Sequence, residues 1–223
     1  MSNRKAAFSA ESYDRDILNT IPYYDEVYNQ IVDVVSVSFL NKSVSWLDVG
    51  CGTGKMAEVA LEQCNVEKMI CTDHSSAMLE VARQKISSSY VEFLELPMEG
   101  IDYDSQLDVI SSILVNHYLP YEERMIAVRN CYNALKKEGI YITFENFAPR
   151  DETTKKLYLK RWEKYQYGKG KSIKECEEHL SRYGTEYFPI TIQEQIRILK
   201  ECGFRGIEIF WCSYMQVGIL ARK

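Results

Sequence analysis

Trp46-Leu47-Asp48-Val49-Gly50-Cys51-Gly52-Thr53-Gly54 is an apolar, strand-like segment that leads directly into three glycines at alternate positions. Alternate glycines let the backbone turn tightly and approach a ligand, and a helix that follows presents its unpaired N–H groups there. The spacing fits neither a dinucleotide fingerprint, which needs a third glycine where the chain has Lys55, nor a P-loop, which needs a longer glycine gap. The run predicts a nucleotide-type cofactor at a strand-to-helix turn.

A second feature lies one strand further along the chain. The segment from Lys68 to Thr72 is typical of a strand and ends at Asp73, about 20 residues beyond the glycines, where a carboxylate can accept hydrogen bonds from ribose hydroxyls. The run 47–54 closely resembles the first motif of the class I S-adenosylmethionine (SAM) dependent methyltransferases. This resemblance implies SAM as the cofactor, S-adenosylhomocysteine (SAH) as the product, and Asp73 as the ribose ligand.

Composition limits the class of protein. The 223 residues are 46% hydrophobic and contain no Pro/Gly/Ser-rich linker, so we expect a single domain over 1–223. Seven cysteines without a C-x-x-C pair favour reduced thiols over disulfides or zinc, and we expect no metal site. The sequence shows no signal peptide and no membrane-length apolar run, which indicates a cytoplasmic protein without a membrane partner. The formal net charge of -5 argues against nonspecific binding of nucleic acid.

Hydrophobic periodicity predicts alternating strands and helices, which is typical of a parallel sheet covered on both faces. The predicted strands are 44–49, 69–72, 91–94, 108–115 and 140–145, followed by a hairpin of 206–212 and 215–221. The predicted helices are 25–40, 55–63, 75–86, 122–135 and 192–202. The resemblance implies a Rossmann-like, seven-stranded, mainly parallel α/β sheet with its last strand antiparallel and a helical insertion after strand five. The expected segments are an N-terminal lid and helix (1–40), a SAM-binding core (41–150), a substrate-lid insertion (151–190) and a C-terminal helix and hairpin (191–223).

The cofactor residues are expected at the carboxyl ends of the strands, where open α/β sheets bind ligands. By resemblance, the glycine turn passes beneath the amino-acid part of SAM, and Val115 borders the sulfonium. Pro97 stands where many relatives place an acidic residue for the adenine, so adenine recognition rests on the Met98 backbone and apolar packing, or on Glu99. The expected cofactor-binding residues are Tyr13, Asp48, Gly50, Cys51, Gly52, Asp73, His74, Met78, Pro97, Met98 and Val115.

His117 and Glu145 are the catalytic candidates, because they lie at the ends of predicted strands four and five. The sulfonium of SAM already carries a good leaving group, so positioning and exclusion of water contribute most to methyl transfer, and a base is needed only for a protonated nucleophile. His117 is therefore a general base, a substrate ligand or a hydrogen-bonded wall residue. Glu145 and Asn146 either contact the substrate or cap the loop after the strand. His179, in a charged helical segment, is expected at the surface.

The insertion at about 150–190 carries aromatic residues with helical spacing. Tyr158, Trp162 and Tyr165 share one helical face while lysines occupy another, which fits either a helix packed on the body or a substrate lid that attracts a cationic group. Tyrosines before the first long helix, in a segment that commonly folds over SAM in such enzymes, indicate a pocket for a small, partly apolar substrate. The expected substrate-binding residues are Tyr24, Asn116, Asn146, Trp162 and Tyr165.

The two ends of the chain have a narrower resemblance. Ile21-Pro22-Tyr23-Tyr24 and the strand from Phe210 to Gln216 are similar to segments of the carboxy-SAM synthases of tRNA wobble-uridine modification, which alkylate the cofactor itself and need a basic residue for its carboxylate. Arg197 is the nearest candidate for that role. The leading hypothesis is a SAM-dependent methyltransferase, monomeric or homodimeric, that acts on O, N or S of a small molecule. The first alternative is an enzyme that forms carboxy-SAM or has a tRNA-related role. The second alternative is a noncatalytic protein that binds SAM.

Overall fold

A single sheet of seven strands organises residues 8–223, which are the residues that the computed structural model describes. The order across the sheet is β3-β2-β1-β4-β5-β7-β6, where β1 to β5 pair in parallel and β7 runs antiparallel to both β5 and β6. The expected mainly parallel sheet with a reversed last strand is confirmed. The strands are β1 (Val44–Val49), β2 (Val66–Asp73), β3 (Val91–Glu95), β4 (Leu107–Ile113), β5 (Leu135–Asn146), β6 (Arg205–Ser213) and β7 (Gln216–Arg222).

Helices cover both faces of this sheet because each central strand is apolar on both sides. Trp46 of β1 packs into the core under α2 and α3, and the next residue, Leu47, packs into the opposite core under α5 and α8. The helices are α1 (Tyr13–Leu18), α2 (Tyr24–Ser38), α3 (Lys55–Gln63), α4 (Ser76–Lys85), α5 (Tyr121–Ala134), α6 (Glu152–Gly168), α7 (Ile173–Ser181) and α8 (Ile192–Cys202). Short 3₁₀ turns span Met98–Gly100 and Asn116–Tyr118.

The predicted boundaries are wrong where a tertiary contact extends or shortens an element. The fifth strand begins at Leu135 instead of residue 140, because Leu135 pairs with Leu107 and the Lys136 ammonium binds the Asp108 carboxylate at 2.7 Å. The fourth strand ends at Ile113 instead of residue 115, since Leu114 turns with a φ of 59°. Residues 115–117 therefore leave the sheet and enter the cleft above it.

The insertion after β5 consists of two helices, and capping residues explain both. Asp151 accepts a hydrogen bond from the Thr154 amide at the start of α6, and Ser172 and Glu175 form a reciprocal capping box at the start of α7. Among the described residues, none of the helices has the length and apolar character that crossing a membrane requires. Residues 1–7 of the predicted N-terminal lid lie outside the described residues.

Candidate active site

A partly open cavity with about 90 Å³ of water-accessible volume lies at the carboxyl ends of β1, β2 and β4. It contains nine of the eleven residues expected at the cofactor, together with further residues that the sequence did not single out. The lining residues are Tyr13, Gly50, Gly52, Asp73, His74, Ser75, Met78, Leu96, Pro97, Met98, Ile113, Leu114, Val115, Tyr118 and Leu119. The segments after four different strands thus converge on one cavity, as the position of ligands in open α/β sheets predicts.

The glycine turn forms the floor of this cavity. Gly50 has a φ of 63°, and a Cβ atom there would lie 2.4 Å from Cγ2 of Val115, so a larger residue would both strain the turn and collide with the opposite wall. Gly52 has a φ of 54° and its Cβ position faces open space. The backbone at Gly52 is therefore accessible to a ligand.

Asp73 connects this floor to the side of the cavity. Its carboxylate accepts hydrogen bonds from the Gly52 amide at 3.0 Å and the Ser75 amide at 2.8 Å. Burial raises the pKa of Asp73, and these amide hydrogen bonds oppose that effect. Asp73 therefore organises the turn as well as facing the cavity, which is more than the ribose contact that the sequence predicts.

Two predicted cofactor residues, Asp48 and Cys51, do not line the cavity. Asp48 is buried in the sheet and accepts a 2.6 Å hydrogen bond from the Ser111 hydroxyl, which itself accepts one from Trp46 Nε1. Burial raises the pKa of Asp48 to about 7. The Cys51 side chain packs into the core, because alternate residues of the turn point to opposite sides. Asp48 therefore connects β1 to Ser111 of β4 instead of facing the cofactor cavity.

A second, smaller cavity, with about 20 Å³ of water-accessible volume, adjoins the first and shares Tyr13, Leu114 and Tyr118 with it. Its other walls come from the N-terminal segment, the end of β5 and the insertion. The remaining lining residues are Phe8, Ile17, Thr20, Ile21, His117, Asn146, His179, Arg182 and Tyr187. Six of the twelve lining side chains have aromatic rings, so the walls offer flat, largely apolar contact surfaces.

His117 and Glu145 form a buried pair at the wall of the second cavity. Nδ1 of His117 lies 2.6 Å from Oε2 of Glu145, and the side chains are 3% and 2% exposed. Burial acts to raise the pKa of Glu145, but the hydrogen bonds from His117 and from the amides of Val115 and Asn116 together hold that pKa below its usual value. An ionised Glu145 fixes a proton on Nδ1 and leaves Nε2 as the reactive nitrogen of His117.

Asn116 and Asn146, both predicted to bind substrate, differ in their placement. Nδ2 of Asn116 donates to Oε1 of Glu145 and the hydroxyl of Tyr141, so it supports Glu145 from behind and lines neither cavity. Asn146 does line the second cavity, and its Oδ1 accepts a 2.7 Å hydrogen bond from Gln216.

The other predicted substrate residues, Tyr24, Trp162 and Tyr165, line neither cavity. The hydroxyl of Tyr24 lies in a buried chain of tyrosines and bonds the hydroxyl of Tyr28. The indole of Trp162 is fully buried and donates to the Thr20 carbonyl. Tyr165 packs on Tyr214 at the outer surface of α6. Their positions follow from packing, which is one of the two alternatives that the aromatic spacing leaves open.

Most residues of the second cavity were not predicted from the sequence as site residues, and His179, Arg182 and Tyr187 are the most polar or aromatic of them in the insertion. The expectation of a surface His179 is wrong, because its ring packs edge-on against Trp162 at 5.0 Å and stacks on Phe8. Burial, with the charges of Lys171 and Arg182, lowers the pKa of His179 to about 3, so the ring is neutral. The capping-box pattern at residues 172–175 marks the start of α7. Three residues apart on that helix, His179 and buried Cys176 share a face, so the sequence contained a pattern from which a buried His179 could have been predicted.

Comparison with known proteins agrees with this geometry. Residues 47–139, which include the glycine turn and Asp73, match the family model described as a methyltransferase domain. The chain is a SAM-dependent enzyme with the class I methyltransferase fold.

Individual relatives extend the match beyond these residues. A carboxy-S-adenosyl-L-methionine synthase of Nautilia profundicola is 26% identical over 87% of this chain and 83% of its own length. A solved structure described as a SAM-dependent methyltransferase from Listeria monocytogenes has a TM-score of 0.60 at 21% identity, over 88% of this chain and 97% of its own. Human N-acetylserotonin methyltransferase in complex with SAM has a TM-score of 0.60 at 19% identity, over 88% of this chain and 51% of its own.

SAM fits the first cavity by the chemistry of its walls. The open backbone at Gly52 and the Asp73 carboxylate suit the polar amino-acid and ribose parts of the cofactor, and Met78, Pro97 and Met98 offer apolar contacts to a flat base. Leu114 lies between this cavity and the second one, because it lines both. A ligand that fills the first cavity would therefore adjoin the second cavity at Leu114.

Proposed function

We propose that the protein transfers the methyl group of SAM to a small-molecule acceptor that occupies the second cavity. The observation that supports this proposal most directly is that the two cavities meet at Tyr13, Leu114 and Tyr118. The enclosed second space favours a free small molecule over a nucleotide within a folded tRNA. We expect a monomeric or homodimeric enzyme of the cytoplasm.

The chain contributes a base and an enclosed space to this reaction. SAM supplies an electrophilic methyl group on a sulfonium. Nε2 of His117 takes the proton of an O–H, N–H or S–H acceptor, while Glu145 stabilises the positive charge that develops on the ring. The aromatic walls exclude water and orient the acceptor for in-line attack.

His117→Asn tests this role of the histidine. Removal of a general base lowers turnover by about 100-fold to 10,000-fold. The readout is transfer of labelled methyl from SAM to phenols, amines and thiols, screened with the wild type first, together with SAH affinity by calorimetry. We expect SAH affinity within about twofold of wild type, because His117 does not line the first cavity. Full turnover in the variant would show that His117 only lines the cavity and does not act as a general base.

A second candidate function, formation of carboxy-SAM, is supported by Arg182. This side chain lines the second cavity, pairs with Glu186 at 2.7 Å and contacts the Tyr118 hydroxyl at the junction of the cavities. A guanidinium there suits a carboxylate, and the Nautilia relative is named a carboxy-SAM synthase. Arg197, the candidate from the sequence, pairs with Glu201 on the exposed face of α8 and lines neither cavity.

Mass spectrometry of the small molecule released on denaturation separates these functions. SAM or SAH supports methyl transfer, and carboxy-SAM supports the second candidate. Arg182→Met keeps the length of the side chain and removes its charge, so it should abolish retention of carboxy-SAM while SAH binding persists. If the wild type and the variant retain both ligands equally, Arg182 does not bind the carboxylate of carboxy-SAM.

A further inference from the structure

The first 14 described residues form a segment that lies over both cavities. This cap segment, residues 8–21, contributes Tyr13 to the first cavity and Phe8, Ile17, Thr20 and Ile21 to the second. Neither cavity is complete without it. What holds the cap segment in place therefore determines how well the cofactor is enclosed.

The glycine turn and α4 hold one end of the cap segment. Asp14 accepts a 2.5 Å hydrogen bond from the Thr53 hydroxyl, within the glycine turn, and pairs with Lys85 of α4. Asp14 is half exposed, so these contacts compete with water and contribute modestly.

The insertion holds the other end, at Thr20, and this contact is buried. Nε1 of Trp162 in α6 donates to the Thr20 carbonyl at 2.6 Å, and Nζ of Lys171, between α6 and α7, donates to the Thr20 hydroxyl at 2.5 Å. Trp162 is 0% exposed and Thr20 is 1% exposed. The loss of a donor here leaves a buried carbonyl unsatisfied, which costs far more than the loss of a surface hydrogen bond.

We propose that Trp162 and Lys171 are positioning residues for cofactor binding, which hold the cap segment closed over the SAM cavity through Thr20. Neither residue lines that cavity, so the effect passes through Thr20 and α1 to Tyr13. The insertion then has a second role besides forming the wall of the second cavity. SAH binding does not involve an acceptor, so this role and the proposed methyl transfer can fail independently.

Trp162→Phe tests the proposal, because it removes the indole N–H and keeps an aromatic ring. We expect the Kd of SAH to rise about tenfold by calorimetry, because a buried hydrogen bond is lost only in the closed state. Trp211→Phe is the matched control. Its Nε1 is buried and has no hydrogen-bond partner among residues 8–223, and its ring contacts exposed Tyr23 instead of Thr20.

Hydrogen exchange of residues 8–21 supplies a readout that general destabilisation does not reproduce. SAH should protect the cap segment in the wild type and in Trp211→Phe, and should protect it less in Trp162→Phe, with β1 and β4 equally protected in all three proteins. Equal SAH affinity and equal protection of the cap segment in the two tryptophan variants would overturn the proposal.

A double-mutant cycle of Lys171→Met and Thr20→Val tests the second contact. Both substitutions remove the same hydrogen bond between the ammonium and the hydroxyl. If that bond acts on cofactor binding, the double variant should bind SAH about as weakly as the weaker single variant. Independent, multiplying losses in affinity would show that Lys171 acts elsewhere.

Discussion

The two cavities are built from different parts of the chain. All but one of the residues that line the first cavity lie between residues 50 and 119, and its floor is backbone. The second cavity is lined by side chains of four separated parts of the chain, namely 8–21, 114–118, Asn146 and 179–187. A cavity whose floor is main chain can bind the same ligand with few constraints on the side chains around it. A cavity lined by side chains can change its ligand through a few substitutions. We therefore expect cofactor binding to depend on the core and acceptor choice to depend on the insertion and the cap segment.

The largest expected effect is at the floor of the first cavity. Gly50→Val places a Cβ atom within 2.4 Å of Val115 at a φ of 63°. Strain at this φ and the collision each cost about 1.5 kcal/mol or more, so SAH affinity should fall by at least about 100-fold in calorimetry.

Gly170→Ala is the control for backbone strain alone. Gly170 has a φ of 95° and no atom within 4 Å of its Cβ position, and it lies in the insertion. SAH affinity should be unchanged in this variant. Binding by Gly50→Val within tenfold of wild type would contradict a backbone-built cofactor site.

Asp73→Asn should have the next largest effect. An amide has one oxygen where Asp73 uses both carboxylate oxygens, one for the Gly52 amide and one for the Ser75 amide. SAH affinity should fall by about 10-fold to 100-fold, since charge-assisted hydrogen bonds contribute about 1.5–3 kcal/mol each.

The melting temperature of Asp73→Asn without ligand distinguishes two roles of the carboxylate. If Asp73 served only the ribose, as the sequence suggests, the unliganded protein would melt like the wild type. The hydrogen bonds to the glycine turn predict a lower melting temperature as well, and their importance would be refuted by an unchanged one.

The contrast between the cavities also explains what the sequence could predict. The glycine turn and Asp73 lie within 24 residues of each other on adjacent strands, and local spacing sets their geometry. Asp48 and Cys51 belong to the same motif, yet their side chains turn away from the cavity, because pattern matching identifies positions and not side-chain directions. The pattern therefore located the cofactor site but not each of its contacts.

The second cavity could be predicted only in part. His117 and Asn146 were found because they follow strands, a position that the fold class alone sets. Arg182 and Tyr187 reach the cavity through the way α6 and α7 fold back on the sheet, and no local pattern specifies that path. Trp162 shows the same limit, since its helical spacing identified a buried face without identifying Thr20 as its partner.

Asp48 should affect cofactor binding less than Asp73 does, and its main effect should be on stability. Its pKa in the folded protein, about 7, lies above the usual 3.8. Stability from the protonated carboxyl is therefore fully present below about pH 3.8 and is lost as the pH rises through about 7. Asp48→Asn cannot ionise, so its unfolding free energy relative to wild type should rise by a few kcal/mol between pH 4 and pH 8.

Urea denaturation at several pH values measures this difference for Asp48→Asn. SAH affinity should change less than about threefold, because the carboxyl group bonds Ser111 of β4 and lies outside the cavity. A loss of affinity as large as that of Asp73→Asn would instead assign Asp48 to the cofactor site, as the sequence motif suggests.

The smallest expected effect is at Tyr165, which the sequence places at the substrate. Its hydroxyl makes a long, 3.4 Å hydrogen bond to the Leu18 carbonyl, and its ring packs on Tyr214 outside both cavities. Tyr165→Phe keeps the ring, so turnover and SAH affinity should change by less than about twofold, the range of a weak exposed hydrogen bond. Kinetics with two acceptors of different size provide the measurement. A change in their relative kcat/KM would mean that α6 reaches the acceptor directly, and the insertion would then act as a lid with its outer aromatic face as well as through Thr20.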